Sequence, residues 1–403
     1  MNVSHIHNCF GCGVCALACG KRIIDISLNE DGFYEPCISE PAKCTDCGFC
    51  LDVCSYSNND IALKDISLSS YAAWSKEPSV RRNCSSGGVG FEVGRSLIDE
   101  GYLVCGVRYN VEKNLAEHYI ASTVEELIPS IGSKYIQSYT IDGLAKIDRK
   151  KKYLVTGTPC QIDSFRRYIQ KFHCEDNFVL MDFFCHGIPS MLMWNKYVAW
   201  AEKQVGRLTY VSWRNKQTGW HDSYVMAIDG EINQDPTDSY ESYNMLIRWE
   251  KCRLKSRLSQ GDMFYRLFLG DACLGNACYD RCRFKWNRSS ADIRIGDAWG
   301  NRFKENEEGI SAAIAFTSKG DDVLANCRCE LVEYSFETIA ENQMKSCPIK
   351  GNLNKKIMRS LHDETSTIVD VYDVYLRYKK YQRIVNKLKT SMRIIKKLKK
   401  KIF

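Results

Sequence analysis

Two runs of four cysteines near the start of the chain share one spacing. The runs are Cys9, Cys12, Cys15 and Cys19, then Cys44, Cys47, Cys50 and Cys54. Two residues separate each of the first three cysteines and three residues precede the fourth, which is the spacing that binds cubane [4Fe–4S] clusters. Because the fourth cysteine of such a run reaches the other cluster, we predict two ligand sets. One is Cys9, Cys12, Cys15 and Cys54; the other is Cys44, Cys47, Cys50 and Cys19.

Zinc is the alternative metal, because it also binds four thiolates and uses Cys-x2-Cys pairs. The third evenly spaced cysteine of each run favours iron, in the arrangement of a bacterial ferredoxin. Gly20 and Ser55 stand where a proline usually follows the fourth cysteine, whereas Gly11, Gly13 and Gly48 permit the tight backbone that a cluster needs. Two such clusters conduct electrons, so chemistry on a substrate must lie elsewhere in the chain.

The composition indicates a globular protein with room for a small module and a larger body. The chain has 403 residues, 44% of them hydrophobic and 26% charged. No apolar run approaches the roughly 18 residues of a membrane span. The first residues lack the basic flank and apolar stretch of an export signal, so we expect a cytoplasmic protein whose cysteines are reduced and not paired in disulfides.

The elements that must position the reactive residues follow an α/β pattern from residue 69 onwards. Short apolar runs predict buried strands at 102–105, 153–155 and 178–181, and a helix from 191 to about 204 follows Pro189 and Ser190. Loops at the carboxyl ends of such strands are where ligands bind. We predict three parts: a 2[4Fe–4S] ferredoxin-type domain at 1–62, an α/β (α+β) catalytic body at 68–350, and a basic amphipathic helix at 370–403.

The positive charge of the chain is concentrated in its last part. The formal net charge is +7, but residues 379–401 carry eleven Lys or Arg and no acid, which leaves 45 basic and 49 acidic residues elsewhere. No nucleic-acid surface is therefore predicted. From Ile384 the apolar positions that recur every three or four residues are Leu388, Met392, Ile395, Leu398 and Ile402. Such a basic helix is suited to the anionic inner face of a membrane; contact with a partner subunit and a solubilising end are the alternatives.

Several segments outside the cysteine runs resemble the beta-subunit family of coenzyme F420 hydrogenases and dehydrogenases, a flavin-containing group that includes bacterial proteins of unassigned role. The resemblance covers nearly all of the chain up to about residue 305. The segments are 31–36 (DGFYEP), 84–88 (CSSGG), 132–138 (GSKYIQS), 157–161 (GTPCQ), 185–190 (CHGIPS), 213–216 (WRNK), 219–220 (GW) and 278–299. It implies FAD in the body, a further cluster there, and electron transfer between a hydride carrier and the ferredoxin-type domain.

The resemblance assigns cofactor binding to ten residues. They are Ser85, Ser86, Gly87, Gly88, Lys134, Gln137, Ser138, Gly157, Thr158 and Asp297. The segment 85–88 precedes a predicted helix at 91–98, so its hydroxyls and amides could bind a phosphate; an ordinary capped helix start is the alternative. Lys134 would bind a pyrophosphate or favour reduced flavin, and Asp297, after a predicted strand at 292–295, would contact a ribose or cap a turn.

The resemblance also implies a site for the electron carrier and a third cluster. Arg214 and Lys216 could bind an acidic carrier and Trp220 could stack on a planar ring, although 210–213 also has the pattern of a strand that ends in a turn. The predicted ligands of the third [4Fe–4S] cluster are Cys160, Cys185, Cys278 and Cys282, with Cys273 as substitute, because three residues separate the last pair where the family commonly has two. Most other cysteines are predicted to be small buried hydrophobes.

Taken together, these features predict a flavin- and iron–sulfur-dependent oxidoreductase with ferredoxin or another redox carrier as its partner. A reductase in a bacterial cell-surface polysaccharide pathway is the preferred role. An electron-transfer subunit that docks a separate catalytic partner is the alternative, and the large body of some 330 residues favours the enzyme. A zinc-stabilised scaffold would be colourless. The resemblance alone does not assign coenzyme F420 to this chain.

Overall fold

The computed structural model describes residues 1–64, 68–221, 224–233, 254–257 and 261–402, with side chains of the last helix described up to residue 390. Cys252 and the side chains of Met392, Ile395, Leu398 and Ile402 lie outside the described part. Within that part, no helix has both the length and the apolar character that crossing a membrane requires.

The strands of the described residues form three sheets. In chain order they are β1 (Ile24–Leu28), β2 (Tyr34–Ile38), β3 (Ser69–Ser75), β4 (Leu103–Asn110), β5 (Leu115–Ala121), β6 (Ser138–Tyr139), β7 (Tyr153–Thr156), β8 (Phe178–Phe183), β9 (Leu208–Asn215), β10 (Val225–Gly230), β11 (Leu254–Ser256), β12 (Ile293–Asp297), β13 (Ser311–Ala315) and β14 (Cys329–Glu333).

The α-helices lie between and after these strands. They are α1 (Val14–Ala18), α2 (Phe49–Asp52), α3 (Pro78–Asn83), α4 (Val89–Asp99), α5 (Val124–Leu127), α6 (Ile141–Leu144), α7 (Pro159–Lys171), α8 (Met191–Val205), α9 (Met263–Phe268), α10 (Asn276–Asp280), α11 (Ser318–Asn326), α12 (Phe336–Ile339), α13 (Asn352–His362) and α14 (Ile368–Ile402).

The body is built on a mixed sheet of nine strands in the order β14-β3-β13-β12-β8-β7-β4-β5-β6. Its centre, β12-β8-β7-β4, is parallel, and antiparallel strands flank it on both sides. The predicted strands at 102–105, 153–155 and 178–181 are β4, β7 and β8, so the central part of the α/β prediction is confirmed. The carboxyl ends of these four strands share one edge, where α/β sheets bind ligands.

Helices cover both faces of this sheet. On one face α7 packs Ile162, Phe165 and Ile169 against the strands, and residues of α1 share the same core. On the other face α4 buries Val89 and Leu97 against the sheet. Helix α7 begins at Pro159, where a missing N–H has no cost, and Gln161 Oε1 accepts a hydrogen bond from Thr158 N over 2.8 Å.

A second layer contains the antiparallel sheet β11-β10-β9 and the helices α8, α9, α13 and α14. Helix α8 begins as predicted at residue 191, because Ser190 Oγ accepts the Leu192 amide over 3.1 Å. The carboxy-terminal helix is also confirmed. Its first turns are buried at Ile368 and Val371, whereas Leu388 is 58% exposed.

The amino-terminal module consists of the hairpin β1-β2 and the short helices α1 and α2. Each helix begins directly after a glycine with positive φ and contains the third cysteine of its run. Regular structure is sparse here, which agrees with a backbone that metal ligands would fix. The α/β fold of the body is therefore confirmed, while the cluster content of the module and the three domain boundaries stay predictions.

Candidate redox site

The first predicted ligand set, here called the first thiol set, surrounds one internal cavity. Cys9, Cys12, Cys15 and Cys54 all line it. Among the described residues, no three or more His, Cys, Asp or Glu side chains converge on a position for one metal ion. A [4Fe–4S] cluster is larger than one ion, so four thiols around a shared space are the arrangement that fits it.

The second thiol set (Cys19, Cys44, Cys47 and Cys50) lies nearer to solvent. Cys50 is buried, Cys19 and Cys44 are half-buried, and Cys47 is exposed. The glycines of the two runs show the same contrast. A Cβ on Gly11 would lie 2.3 Å from Gln137 Nε2 and one on Gly13 would lie 2.2 Å from Thr140 Oγ1, whereas Gly48 has no such atom within 4 Å. The body therefore closes over the first run and leaves the second open.

The first thiol set is joined to the body through Ser55 and Ser164. The hydroxyl of Ser164 accepts hydrogen bonds from the Cys12 thiol over 3.3 Å and from the Ser55 amide over 2.9 Å. Ser55 Oγ in turn donates to the carbonyl of Cys160 over 3.0 Å. Cys160, a predicted ligand of the body cluster, is thus hydrogen-bonded to the residue that directly follows Cys54.

The four cysteines predicted for the third cluster, here the body thiol set, lie together. They are Cys160, Cys185, Cys278 and Cys282. Burial is the largest cause that raises the pKa of Cys160, and the nearby thiols of Cys185, Cys278 and Cys282 raise it further. Burial raises the pKa of Cys278 to about 12, with Cys185 and Cys282 again as neighbours. Four adjacent, half-buried thiols fit an iron–sulfur cluster, because a bound metal ion replaces their protons.

A fifth cysteine, Cys347, joins this set, although no local sequence pattern indicated it. Its thiol donates to the Cys282 carbonyl over 2.8 Å, and its hydrogen bond to the Cys282 thiol is the main cause that lowers the pKa of Cys282 to about 6. Cys273, predicted as the substitute ligand, lies elsewhere, buried with its thiol 3.3 Å from Met193 Sδ. Lys285 was also missed; its ammonium donates to the Cys185 carbonyl over 2.6 Å.

A cavity of about 540 Å³ opens at the carboxyl edge of the parallel strands. It is here called the larger cavity. The predicted cofactor-binding residues that line it are Ser85, Ser86, Gly88, Lys134, Ser138, Gly157, Thr158 and Asp297. Cys185 of the body thiol set lines it too. The structure therefore brings eight of the ten predicted cofactor-binding residues to one place and puts a predicted cluster ligand in its wall.

Gly87 and Gln137 have positions beside the larger cavity and not in its lining. A Cβ on Gly87 would lie 2.3 Å from the Ala73 carbonyl oxygen, so this glycine allows close backbone contact. Gln137 bridges body and module, because its Oε1 accepts the Tyr34 amide over 2.9 Å and its Nε2 donates to the Phe10 carbonyl over 3.2 Å.

The amino-terminal end of α4 meets the larger cavity without a side-chain cap. Gly88 precedes the helix with φ +92°, and no side chain accepts a hydrogen bond there. The two serines have other partners: Ser85 Oγ accepts the Ser133 amide over 2.8 Å, and Ser86 Oγ donates to the Ile310 carbonyl over 2.9 Å. The free amides and the positive end of the helix dipole therefore face a ligand-sized space.

Two lysines of the site are buried among backbone carbonyls. Lys134 Nζ lies within 3.2 Å of the carbonyl oxygens of four residues, 129–132. Lys216 Nζ donates to the carbonyls of Arg81, Ser86 and Glu308. Burial lowers the pKa of Lys134 to about 7 and that of Lys216 to about 8. Both ammonium groups would gain from a nearby anion.

Arg214 and Asp297 form a buried ion pair against the larger cavity. Arg214 Nη2 donates to Asp297 Oδ1 over 3.1 Å, and the guanidinium lies 4.6 Å from the ring centroid of Trp299. Arg214 Nε has no hydrogen-bond partner among the described residues. Trp220 is fully buried, donates from Nε1 to Asp297 Oδ1 over 2.8 Å and stacks on Trp299, so it lies behind the wall of the cavity.

A smaller cavity of about 220 Å³ shares part of this wall. Arg214 and Lys134 line both cavities. Arg82 and Lys216 also line the smaller one, and no Asp or Glu is among its described lining residues. An anionic group is the ligand that this lining would bind best, because four cationic side chains surround it.

Comparisons with known proteins give a family match and a similar solved structure. Residues 150–335 match the family model that describes the C terminus of the beta subunit in coenzyme F420 hydrogenase/dehydrogenase. A chain of the F420-reducing [NiFe] hydrogenase complex from Methanosarcina barkeri, studied by xenon derivatization, is 16% identical with a TM-score of 0.43; the match covers 80% of this chain and 96% of that one. No curated protein matches. The family match over residues 150–335 confirms the predicted resemblance to this beta-subunit family for that part of the chain.

Proposed function

We propose that the chain is an iron–sulfur flavoprotein oxidoreductase that passes electrons between a hydride carrier or ferredoxin, FAD and three [4Fe–4S] clusters. The position of the body thiol set carries this proposal. Cys185 lines the larger cavity, while Cys160 is bonded through Ser55 to the first thiol set. Bound FAD would exchange electron pairs with a hydride carrier and single electrons with the clusters.

The larger cavity has the size and the chemistry for the flavin. Its volume of about 540 Å³ lies within the usual range for small-molecule sites. The uncapped end of α4 and the buried ammonium of Lys134 supply the two features that a diphosphate needs, free amides and positive charge. Gly88 and Gly90, which carry no side chain, line the cavity at this end of the helix.

The smaller cavity supports an enzyme with its own substrate over a relay subunit without one. A relay needs no second chamber beside the flavin. This chamber is lined by Arg82, Lys134, Arg214 and Lys216 without an acid among its described lining residues. We therefore propose that the substrate or the hydride carrier is anionic and that its charged part binds there.

The second thiol set is the proposed contact with ferredoxin or another external redox carrier. Cys47 is exposed and Gly48 has no atom of another element within 4 Å of a Cβ position, so a partner could approach this side of the module. The body blocks the equivalent approach at Gly11 and Gly13. The proposed order is flavin, body cluster, first cluster, second cluster, partner.

We further propose that this activity is a reduction step in a bacterial cell-surface polysaccharide pathway, the role preferred on the sequence. An anionic substrate agrees with the lining of the smaller cavity. The check is a screen of anionic sugar derivatives with reduced ferredoxin as donor; oxidation of the donor by one of them is the expected result.

Anaerobic purification followed by iron, acid-labile sulfide and flavin assays tests the central proposal. About 12 irons per chain, as three cubanes require, together with one FAD is the expected content. About eight irons with FAD would remove the body cluster from the proposal, and zinc in place of iron would contradict it entirely.

A matched pair of variants tests the order of the clusters. Cys47→Ala should lose the second cluster and keep electron transfer from flavin to the remaining clusters, whereas Cys12→Ala should interrupt transfer at the first cluster and leave the second oxidised. Electron paramagnetic resonance during reduction by the hydride donor distinguishes the two. Reduction of the second cluster in Cys12→Ala would contradict the proposed order.

A further inference from the structure

Five thiols, one more than a cubane can use, lie at the body thiol set. Cys347 donates to the Cys282 carbonyl over 2.8 Å and its thiol is in hydrogen-bond contact with the thiol of Cys282. A [4Fe–4S] cluster binds four cysteines. With Cys347 against Cys282, a cluster that binds Cys282 leaves the Cys347 thiol beside that same corner and not at a corner of its own.

The position of Cys347 is fixed by the segment that carries it. Asn342 Nδ2 donates to the Trp299 carbonyl over 3.0 Å, Gln343 Nε2 donates to the Asp297 carbonyl over 2.8 Å, and Lys345 lies 4.4 Å from the ring centroid of Trp286. Asn342 and Gln343 also line the larger cavity. This segment follows residue 335, where the family match ends, so the family does not account for Cys347.

We propose that Cys347 is an alternative ligand for the iron held by Cys282 in the body cluster. While Cys282 is bound as thiolate, Cys347 remains a thiol and donates a hydrogen bond to it. In the exchange, the iron–sulfur bond to Cys282 breaks, one to Cys347 forms, and the proton of Cys347 passes to Cys282, without change in the number of electrons. This inference rests on the proposed third cluster.

Iron and labile-sulfide counts on anaerobically purified variants test the exchange. Wild type, Cys282→Ala and Cys347→Ala should each contain about 12 irons, whereas the double variant should contain about eight. Cys185→Ala is the control for a corner without a paired thiol and should also fall to about eight. Flavin content and circular dichroism identify any variant that does not fold.

The outcomes separate this inference from the proposed function. About eight irons in Cys282→Ala or in Cys347→Ala would overturn the exchange, because each thiol would then be indispensable, and about 12 in the double variant would overturn it as well. About eight irons in wild type would instead refute the body cluster itself. Where Cys282→Ala does not fold, the potential of the body cluster in Cys347→Ala decides: loss of a hydrogen bond to a ligand sulfur lowers it, and an unchanged potential contradicts the contact.

Discussion

Ser55 Oγ donates a 3.0 Å hydrogen bond to the carbonyl oxygen of Cys160, across 105 residues of sequence. Ser55 follows the last cysteine of the first thiol set, and Cys160 belongs to the body thiol set. The guanidinium of Arg283 donates to the Ser55 carbonyl over 2.6 Å. The body therefore binds both the hydroxyl and the carbonyl of Ser55. This contact joins the two predicted clusters by a short covalent and hydrogen-bonded route.

Replacement of Cys47 should remove one cluster and leave the flavin in place. Cys47→Ala is expected to lower the iron content from about 12 to about eight per chain, because Cys47 is a predicted ligand of the second cluster. FAD should remain bound, because Cys47 is exposed and does not line the larger cavity. Iron and flavin assays on the purified variant check this. Loss of FAD from a folded variant would contradict the separation of the two sites.

The buried pair of Arg214 and Asp297 should be costly to break. Burial alone would lower the pKa of Arg214, but the neighbouring Asp297 carboxylate outweighs this effect and the pKa is raised. Asp297 therefore stabilises the positive charge of the buried guanidinium. Asp297→Asn is expected to lower the free energy of unfolding by about 3 kcal/mol, because a buried charge loses its counter-ion. Chemical denaturation measures the change.

The exposed pair of Asp99 and Arg328 provides the matched control. Both side chains are more than half exposed and their N–O distance is 2.9 Å. Asp99→Asn should change the unfolding free energy by less than about 1 kcal/mol. Equal effects of the two substitutions would mean that burial of the Arg214 pair does not determine its contribution.

Binding of FAD to the apoprotein should weaken as pH rises through 7. Burial lowers the pKa of Lys134 to about 7, and a bound diphosphate would raise it, so the complex binds more protons than the apoprotein in the range above pH 7. Affinity should therefore fall by at most about tenfold per pH unit there. Fluorescence titration with FAD between about pH 6 and 9 measures the slope, and Lys134→Met should flatten it. A slope that persists in this variant would assign the proton to another group.

Gly87 should tolerate no side chain. Gly87→Ala would place Cβ 2.3 Å from the Ala73 carbonyl oxygen and 2.8 Å from the Ser311 amide nitrogen, both backbone atoms. We expect a loss of about 2 to 3 kcal/mol in unfolding free energy. Gly101 is the control, because it has φ +84° and open space around it. Gly101→Ala should cost about 1 kcal/mol through backbone strain, and thermal unfolding compares the two.

The exposed part of α14 should be dispensable for the fold and necessary for membrane contact. Tyr381 and Leu388 are 61% and 58% exposed, whereas Ile368 and Val371 are buried. Removal of residues 381–403 should change the unfolding free energy by less than about 0.5 kcal/mol. It should abolish binding to vesicles that contain phosphatidylglycerol, since each basic residue near such a surface contributes about 1 kcal/mol. Equal sedimentation of the full and shortened chains with these vesicles would refute the membrane role.

The sequence predicted the elements whose signals are local. Strands β7 and β8 are apolar runs, and Ser190 marks the start of α8. Three of the motifs that reach the larger cavity lie at the carboxyl ends of neighbouring parallel strands: 157–161 follows β7, 185–190 follows β8, and Asp297 ends β12. The segments 84–88 and 132–138 follow helices, and only the family resemblance grouped them with the others.

Contacts between distant segments were missed because no local sequence signal marks them. Cys347 reaches Cys282 across 65 residues, and no spacing pattern connects them. Cys273 is near Cys278 in sequence, which favours it as a ligand, yet the chain between them turns at Gly275 and leaves Cys273 beside Met193. Gln137 was assigned to the flavin by its motif, while its amide is used to hold the module.

The contacts that close the module have a consequence for how the protein is made. The Gly32 carbonyl accepts the amide of Met191 over 3.0 Å, and Asp31 Oδ1 lies 2.8 Å from His362 Nε2. The ribosome releases the two cysteine runs first and these partners much later, in the amino-to-carboxy order of synthesis. We therefore expect a period in which the nascent module is accessible to the machinery that inserts iron and sulfide, and which ends when the remaining chain folds over it.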